Sequence, residues 1–222
     1  VRLSENQEES IKLRAAVYID GFNLYHPIHE MNEPFLKWAC LWQLSEILCS
    51  PLNYQLQKVV FCTAVPLDNA GKRDRHNTFN SAQIARGVQI IKGHHVWDAT
   101  SQKHSEKQSD INVALSLILD AVDNVYDAAF LISADSDQAA TARVFSERFP
   151  DKKLYSVAPP DRSPPSKSAS YCAKSFSLRK DQIEACVMPA MVKTVTGAWI
   201  RRPAEYVPPT WWVHPKDRPK KK

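Results

Sequence analysis

Four aspartates stand where they could act together on one divalent cation: Asp20 in Val17-Tyr18-Ile19-Asp20-Gly21, Asp110 in Gln108-Ser109-Asp110-Ile111, and the pair Asp135 and Asp137 in Ile132-Ser133-Ala134-Asp135-Ser136-Asp137. Carboxylates gathered without a counter-charge repel, and each takes up a proton more readily than it stays ionised. A hard cation resolves that conflict, and Mg²⁺ or Mn²⁺ favours such oxygen donors. The chemistry such a set serves is phosphodiester hydrolysis, in which the ion acidifies a bound water and stabilises the leaving oxygen. Each acid also has an ordinary structural use. Asp137 could cap a helix, Asp135 could close a turn, Asp20-Gly21 is a common turn pair, and Asp110 could complement a helix dipole. Only their convergence would make a site.

The elements that must bring them together are legible as apolar runs. Five runs enriched in β-branched and aromatic residues read as strands: 15–19, about 56–65, about 88–97, 128–132 and 153–157. Helical spacing predicts helices over 38–48, 75–86, 106–122 and 137–149. In the third of these, Ile111, Ala114, Leu115, Ile118 and Val122 share the apolar spacing, and Ser105 with Gln108 resembles a capping box. The alternation implies an α/β fold with a central, mostly parallel β-sheet flanked by helices on both faces. Ligands of such sheets bind beyond the carboxyl ends of the strands. Asp20 follows the first strand, Asp135 and Asp137 follow the fourth, and Asp110 opens the helix that leaves the third. Three separate segments thus deliver carboxylates to one rim, and Glu106, four residues before Asp110, would share its helix face. The expected organisation is an N-terminal extension (1–14), one domain (15–188) and a basic, proline-rich tail (189–222) whose periodicity decays and which reads as irregular from 203. The segment 159–170, with four prolines and four serines, reads as a loop, and 175–178 as an added edge strand.

Composition narrows the classes. A chain of 222 residues with 44% hydrophobic content can bury one full core. No run approaches the roughly 18–20 apolar residues of a membrane span, and residues 1–13 lack the apolar centre of a signal peptide. The expectation is a cytoplasmic protein with no membrane partner. Five cysteines, an odd number without C-x-x-C spacing, suit buried free thiols in a reducing compartment. The net charge is +5, and residues 201–222 hold seven basic side chains against Glu205 and Asp217, which accounts for the whole excess. Such a tail could contact phosphates or serve only as a solubilising end. The five glycines form no phosphate-cradling loop. A phosphatase with an aspartyl nucleophile would show a second aspartate two residues after the first, where this chain has Phe22.

Other residues could assist at the rim. Lys72, Arg73, Arg75, Arg86 and Lys92 flank the polar helix before the third strand and could guide a nucleic-acid backbone, or could simply be its solvated face. Asn77, Asn80 and Gln83 could add polar contacts there. His94 and His95 are adjacent in a strand and point to opposite faces, which suits a structural role better than a shared metal. His26 and His29 read as loop residues near the first acid. Trp211 and Trp212 could stack on bases or anchor the tail on the domain or on a partner subunit, which would make the protein a homo-oligomer.

Three blocks, Val17 to Tyr25, Glu106 to Leu115 and Leu131 to Asp137, together resemble the signature of NYN domains, in particular the bacterial LabA-like branch of the PIN-like nuclease superfamily. The resemblance spans roughly Ala15 to Leu178. It implies a PIN-like fold and a metal-dependent ribonuclease, an endonuclease acting on RNA, with other nucleic acid as a further candidate partner and with Asp20, Asp110, Asp135 and Asp137 holding Mg²⁺ or Mn²⁺. It implies that Asn23 helps order the loop after the first strand and the bound water or phosphate, that Lys107 supplies a nearby positive group with a structural or phosphate-contacting role, and that Ser133 and Ser136 fill the small positions beside the last two acids; Lys107, Ser133 and Ser136, with Arg73 and Arg75, are the candidate substrate-binding residues. Two departures stand out. Ala134 replaces a glycine, and Gln138 stands where an apolar or aromatic residue is usual. A nucleic-acid-binding module without turnover is the alternative.

Overall fold

The computed structural model describes residues 12–98 and 103–219, with the side chains of 95–107 outside the description. The elements run in the order β1 (Leu13–Asp20), α1 (Gly21–Glu30), a 3₁₀ turn (Pro34–Trp38), α2 (Leu41–Cys49), a second 3₁₀ turn (Ser50–Leu52), β2 (Tyr54–Thr63), α3 (Ala70–Ala85), β3 (Gln89–Lys92), β4 (His94–Asp98) and β5 (Lys103–Lys107). They continue with α4 (Ser109–Val122), β6 (Ala128–Ile132), α5 (Gln138–Arg148), β7 (Lys153–Ala158), α6 (Ser166–Ala169), β8 (Lys174–Ser177), α7 (Lys180–Glu184), β9 (Met191–Lys193) and β10 (Trp199–Arg201). Six strands form one parallel sheet in the order β3-β2-β1-β6-β7-β8. The expected α/β architecture is therefore present, including β8 as the added edge strand.

Both faces of this sheet are covered, which explains why its central strands read as unbroken apolar runs rather than as alternating ones. Ala15, Val17 and Ile19 of β1 face a core completed by α1 and α2 through Leu24, Ile28, Leu41, Leu44 and Leu48. Ala16 and Tyr18 face the opposite core, where α4 and α5 contribute Val113, Leu117, Ala121, Ala142 and Phe145. The two faces differ in polarity as well. Tyr18 donates its hydroxyl to Asp120 at 2.7 Å inside the second core, and Lys58 reaches the same carboxylate at 2.8 Å. No helix among the described residues is long and apolar enough to cross a membrane.

Several elements differ from the sequence expectation. The run 88–97 is two strands, not one: β3 ends at Lys92, the Gly93 N–H bonds to the Thr63 carbonyl, and β4 turns away to pair antiparallel with β5. Glu106 and Lys107 consequently end a strand, and α4 begins at Ser109 after Gln108 in the left-handed region (φ 79°). Ser105 lies within β5, so Gln108 rather than Ser105 stands at the N-cap of α4, and Glu106 does not share a helix face with Asp110. The buried face of α4 is Val113, Leu117 and Ala121, while Ile111, Leu115 and Val122 are more than half exposed. Helix α1 was not expected at all, since Asp20-Gly21 read as a turn and His26 and His29 as loop residues. Helix α3 starts at Ala70, five residues before the expected Arg75, because Asn69 caps it by accepting the Lys72 N–H at 2.9 Å.

The segment after β8 also departs from the reading of a decaying tail. β9 and β10 form a hairpin whose Val192, with Ile200 and Tyr206, packs on Trp38, Cys40, Ala82 and Met188. Further on, Trp212 lies 5.1 Å from the Phe35 ring and donates its indole N–H to Glu184, which also pairs with Arg218. Trp211 remains largely exposed. The irregular chain is thus bound to the domain by specific side chains. Of the expected extension 1–14, residues 1–11 lie outside the described residues, and β1 already begins at Leu13.

Candidate active site

The strand order reverses direction at β1: the chain winds outward through β2 and β3, then returns to place β6 on the other flank. Such a switch point leaves a crevice at the carboxyl ends of the two central strands. Asp20 ends β1 there, and Ser133 to Asp137 leave β6 there. Alternation along β1 carries Asp20 to the same side as Ala16 and Tyr18, the side of α4 and α5. Helix α4 starts at this rim too, so Asp110 sits in its first turn. A cleft of about 520 Å³ is lined by Asp20, Asn23, Asp110 and Asp135, with Phe22, His94, Gln108, Ser109 and Ile111.

Asp20 is held most firmly. Only 3% exposed, it accepts the Asn23 backbone N–H at 3.1 Å, the Asn23 side-chain amide at 2.7 Å and the Ser133 hydroxyl at 3.3 Å. It therefore caps α1 and serves the cleft at once. Burial pushes its carboxyl above the ordinary range against the pull of the Asn23 and Ser133 bonds, and the charge of Asp135 pushes the same way. Asn23 turns its own carbonyl oxygen to the Ala134 N–H at 3.2 Å, which ties the start of α1 to the loop after β6. Ser133 in turn accepts the Asp135 N–H at 3.1 Å, and Asp135 accepts the Asp137 N–H at 2.9 Å. Through these bonds Asn23 ties the start of α1 to Asp20 and to the loop after β6.

Gly21 is required by close approach. A Cβ there would lie 2.6 Å from the Cys62 carbonyl oxygen and 2.9 Å from Thr63 Cβ, so the first turn of α1 can rest on the end of β2 only without a side chain. Gln138 is the second fixture. Its side-chain amide donates to the Asp110 carbonyl at 3.0 Å, while Thr141 donates to its oxygen at 2.9 Å. The residue that departed from the family pattern thus clamps α4 to α5. Sequence reading missed this, since the partner is a backbone atom with no signature. It also missed Phe22 and His94 as cleft residues, the latter within 2.9 Å of the Gln108 side-chain oxygen.

The other expected residues divide. Asp137 and Ser136 are exposed and do not line the cleft. Asp137 precedes α5 without capping it through its side chain. Ser133 is buried behind the rim as a support for Asp20. Lys107 ends β5, and its side chain lies outside the described residues, as does that of His95. Arg73 is exposed on α3, whereas Lys72 and Arg75 line a neighbouring cleft, Arg75 paired with Glu205 at 2.7 Å. Arg86 ends α3 at its opposite end, because a helix following a parallel strand runs back from the rim. Asn80 and Gln83 are buried, and Gln83 bonds the α2 start through the Leu41 N–H and the Ala39 carbonyl.

The donor set can be tested against a divalent ion. Among the described residues, no three His, Cys, Asp or Glu side chains stand close enough to form a ready-made cage. Three carboxylates nevertheless share one open cleft. That arrangement fits a hard ion that keeps several of its waters and takes only one or two carboxylates directly, as Mg²⁺ does. Thiol chemistry is disfavoured: Cys62 is paired across from Asp20 in the sheet register, and burial, then the Asp20 charge, pushes its thiol up to about 12. All five cysteines are free.

Comparison with known proteins identifies the family and the fold. A family model described as the NYN domain matches residues 14–178. The crystal structure of a protein of unknown function from Vibrio parahaemolyticus is similar at a TM-score of 0.54 and 15% identity, covering 81% of this chain and 98% of that one. A likeness at that identity concerns the fold alone. No curated protein matches the chain. The family match ends before α7, so the hairpin β9–β10 and Tyr206 lie beyond it.

Proposed function

The chain belongs to the NYN domain family of the PIN-like nuclease superfamily, and from that premise we propose that it is a metal-dependent endoribonuclease cutting RNA at the cleft of Asp20, Asp110 and Asp135. The observation that carries the reading is that carboxylates from three distant segments line one cleft at the switch point of the sheet. Mg²⁺ or Mn²⁺, bound there, would supply a Lewis acid and an acidified water for in-line attack on phosphate. Asp20 would be the anchoring ligand, because three hydrogen bonds fix its two oxygens. Asp110 and Asp135, half-buried in the same cleft, would complete the oxygen donors.

The chain's own residues then have defined tasks. Asn23 and Ser133 hold Asp20 and the loop of Asp135 in fixed relation, so the donors need little reorganisation. Gln138 keeps the first turn of α4, and with it Asp110, against the start of α5. Asp137 would contribute from outside the cleft, through water or through the negative field. No side chain need act as nucleophile. An empty cleft of three carboxylates repels a phosphodiester, so a bound cation would favour entry of the scissile phosphate into that cleft. The free thiols support a reducing, cytoplasmic setting for this chemistry.

Incubating an end-labelled RNA with Mn²⁺ tests the reading. Internal cuts by the wild type, lost in Asp20→Asn and Asp135→Asn, are the expected result. Equal cutting by wild type and Asp20→Asn would eliminate the mechanism. RNA retained without cutting would leave the chain a binding module.

A further inference from the structure

Beside the acidic cleft lies a second one, of about 180 Å³, whose lining is aromatic and cationic rather than acidic. Helix α1 contributes Phe22, Tyr25 and His26 to it, α3 contributes Lys72 and Arg75, and Tyr206 closes it from the segment beyond β10. Phe22 lines both clefts and forms the partition between them. We propose that this second cleft binds a nucleotide of a single-stranded RNA next to the phosphate being cut, with the base against the α1 aromatics and Tyr206 and the backbone phosphate on Lys72 and Arg75. The proposal rests on the ribonuclease reading for the identity of the strand.

Three observations carry it. The aromatic rings are presented to solvent rather than packed away: Phe22 and Tyr25 are each 38% exposed although their neighbours Leu24 and Ile28 are buried. Rings left open along one helix edge, Phe22 and His26 at 5.3 Å and Tyr25 and His26 at 5.6 Å, offer faces and edges to a planar ligand. A base can use them only when it is not already stacked inside a duplex, which selects a single strand.

Second, Lys37, Lys72 and Arg75 lie close enough to repel one another, and of the three only Arg75 pairs with a carboxylate among the described residues, that of Glu205. Lys37 lies 4.9 Å over the Tyr25 ring at the margin of this cleft, and burial, then the charges of Arg75 and Lys72, push its ammonium down. Neither Lys37 nor Lys72 pairs with a carboxylate among the described residues. Like charges held this close destabilise one another until an anion joins them. Third, the two clefts differ in sign and share a wall. A phosphodiester strand crossing Phe22 would meet cations on one side and the metal-binding acids on the other.

Glu205 gives the proposal a test with a distinctive sign. It neutralises Arg75 at 2.7 Å, so it competes with any phosphate for that guanidinium. Binding of a fluorescein-labelled oligouridine, followed by anisotropy in EDTA, keeps the measurement independent of turnover. Phe22→Ala and Tyr206→Ala are expected to weaken binding about tenfold each, the loss typical of one stacking contact, with Tyr206→Phe restoring it. Lys72→Ala should weaken binding severalfold and flatten the salt dependence by about 0.7 in slope. Glu205→Gln should tighten it, and Arg86→Ala, which removes one positive charge as Lys72→Ala does but at the far end of α3, should leave it unchanged. The same oligonucleotide annealed to its complement should bind more weakly. Variants binding as tightly as wild type, or a duplex binding as tightly as the single strand, would overturn the cleft assignment. Such a result alongside Mn²⁺-dependent cutting would leave the ribonuclease reading standing, whereas binding losses without any cutting would uphold the cleft and remove the ribonuclease.

Discussion

At the scale of single residues, Asp20 is under two opposed demands. As an ionised group in a buried position it destabilises the fold, yet its oxygens hold α1 and face the cleft. The sign of the pH effect follows. With a folded-state pKa above the unfolded one, its contribution favours the fold at low pH and is lost as pH rises through the raised folded value. Asp20→Asn removes that dependence. The metal-free variant is expected to melt no lower than wild type at neutral pH while losing about 10²-fold or more in cutting rate. Melting curves across pH, compared for the two proteins, check this; a lower Tm for the variant at every pH would contradict it. Gly21→Ala should behave in the opposite way. The added carbon meets a backbone carbonyl that cannot swing aside, so a loss of about 1–3 kcal/mol is expected in denaturant titration. The positions of Asp20 and Asp135 at the rim were legible because they follow from strand ends, whereas the same rule did not separate Asp137, which lies outside the cleft. The supports were not legible, since Gln138 and Ser133 act on partners that no spacing rule identifies.

At the scale of elements, legibility followed burial. β1 and β6 are covered on both faces and announced themselves as continuous apolar runs. Helix α4 was found, but its orientation was misread because both of its sides carry aliphatic residues: Val113 and Leu117 meet the sheet while Ile111 and Leu115 face out. Periodicity locates a stripe and does not say which of two stripes is covered. Helix α1 was hidden by Gly21 at its start and Pro27 within it, residues that ordinarily mark turns. The hairpin β9–β10 was hidden by brevity, each strand being three residues long. Its attachment can be tested directly. Val192 is 3% exposed among Trp38, Cys40 and Met188, so Val192→Asp places an unpaired charge in an apolar slot. A loss of several kcal/mol is expected if the hairpin stays docked; a smaller loss accompanied by weakened RNA binding would mean that the hairpin lifts away and takes Tyr206 with it. Thermal melts and anisotropy on the same preparation distinguish the outcomes, and no change in either would refute the packing argument.

At the scale of the whole molecule, the excess positive charge noted at residues 201–222 is partly committed to the domain, as Arg218 on Glu184 illustrates. A cation that enters the acidic cleft should relieve the repulsion between Asp20 and Asp135 and so stabilise the entire fold. At a free concentration of 100 times its Kd, linkage amounts to about 2.7 kcal/mol, or roughly 5–10 °C in Tm for a domain of this size. Mn²⁺ is expected to raise the Tm of wild type by an amount of that order and that of Asp20→Asn by much less. Equal shifts in the two proteins would locate the ion elsewhere.

Tyr206 lies far beyond the last of the cleft carboxylates in the chain, and this has a consequence for how the protein is made. A ribosome finishes Asp20, Asp110 and Asp135 well before it reaches the residue that closes the neighbouring cleft. During that interval the nascent chain carries its acids but lacks Tyr206. On the proposed reading of the neighbouring cleft, the order of translation would postpone a competent grip on RNA until synthesis has passed the wall that completes it.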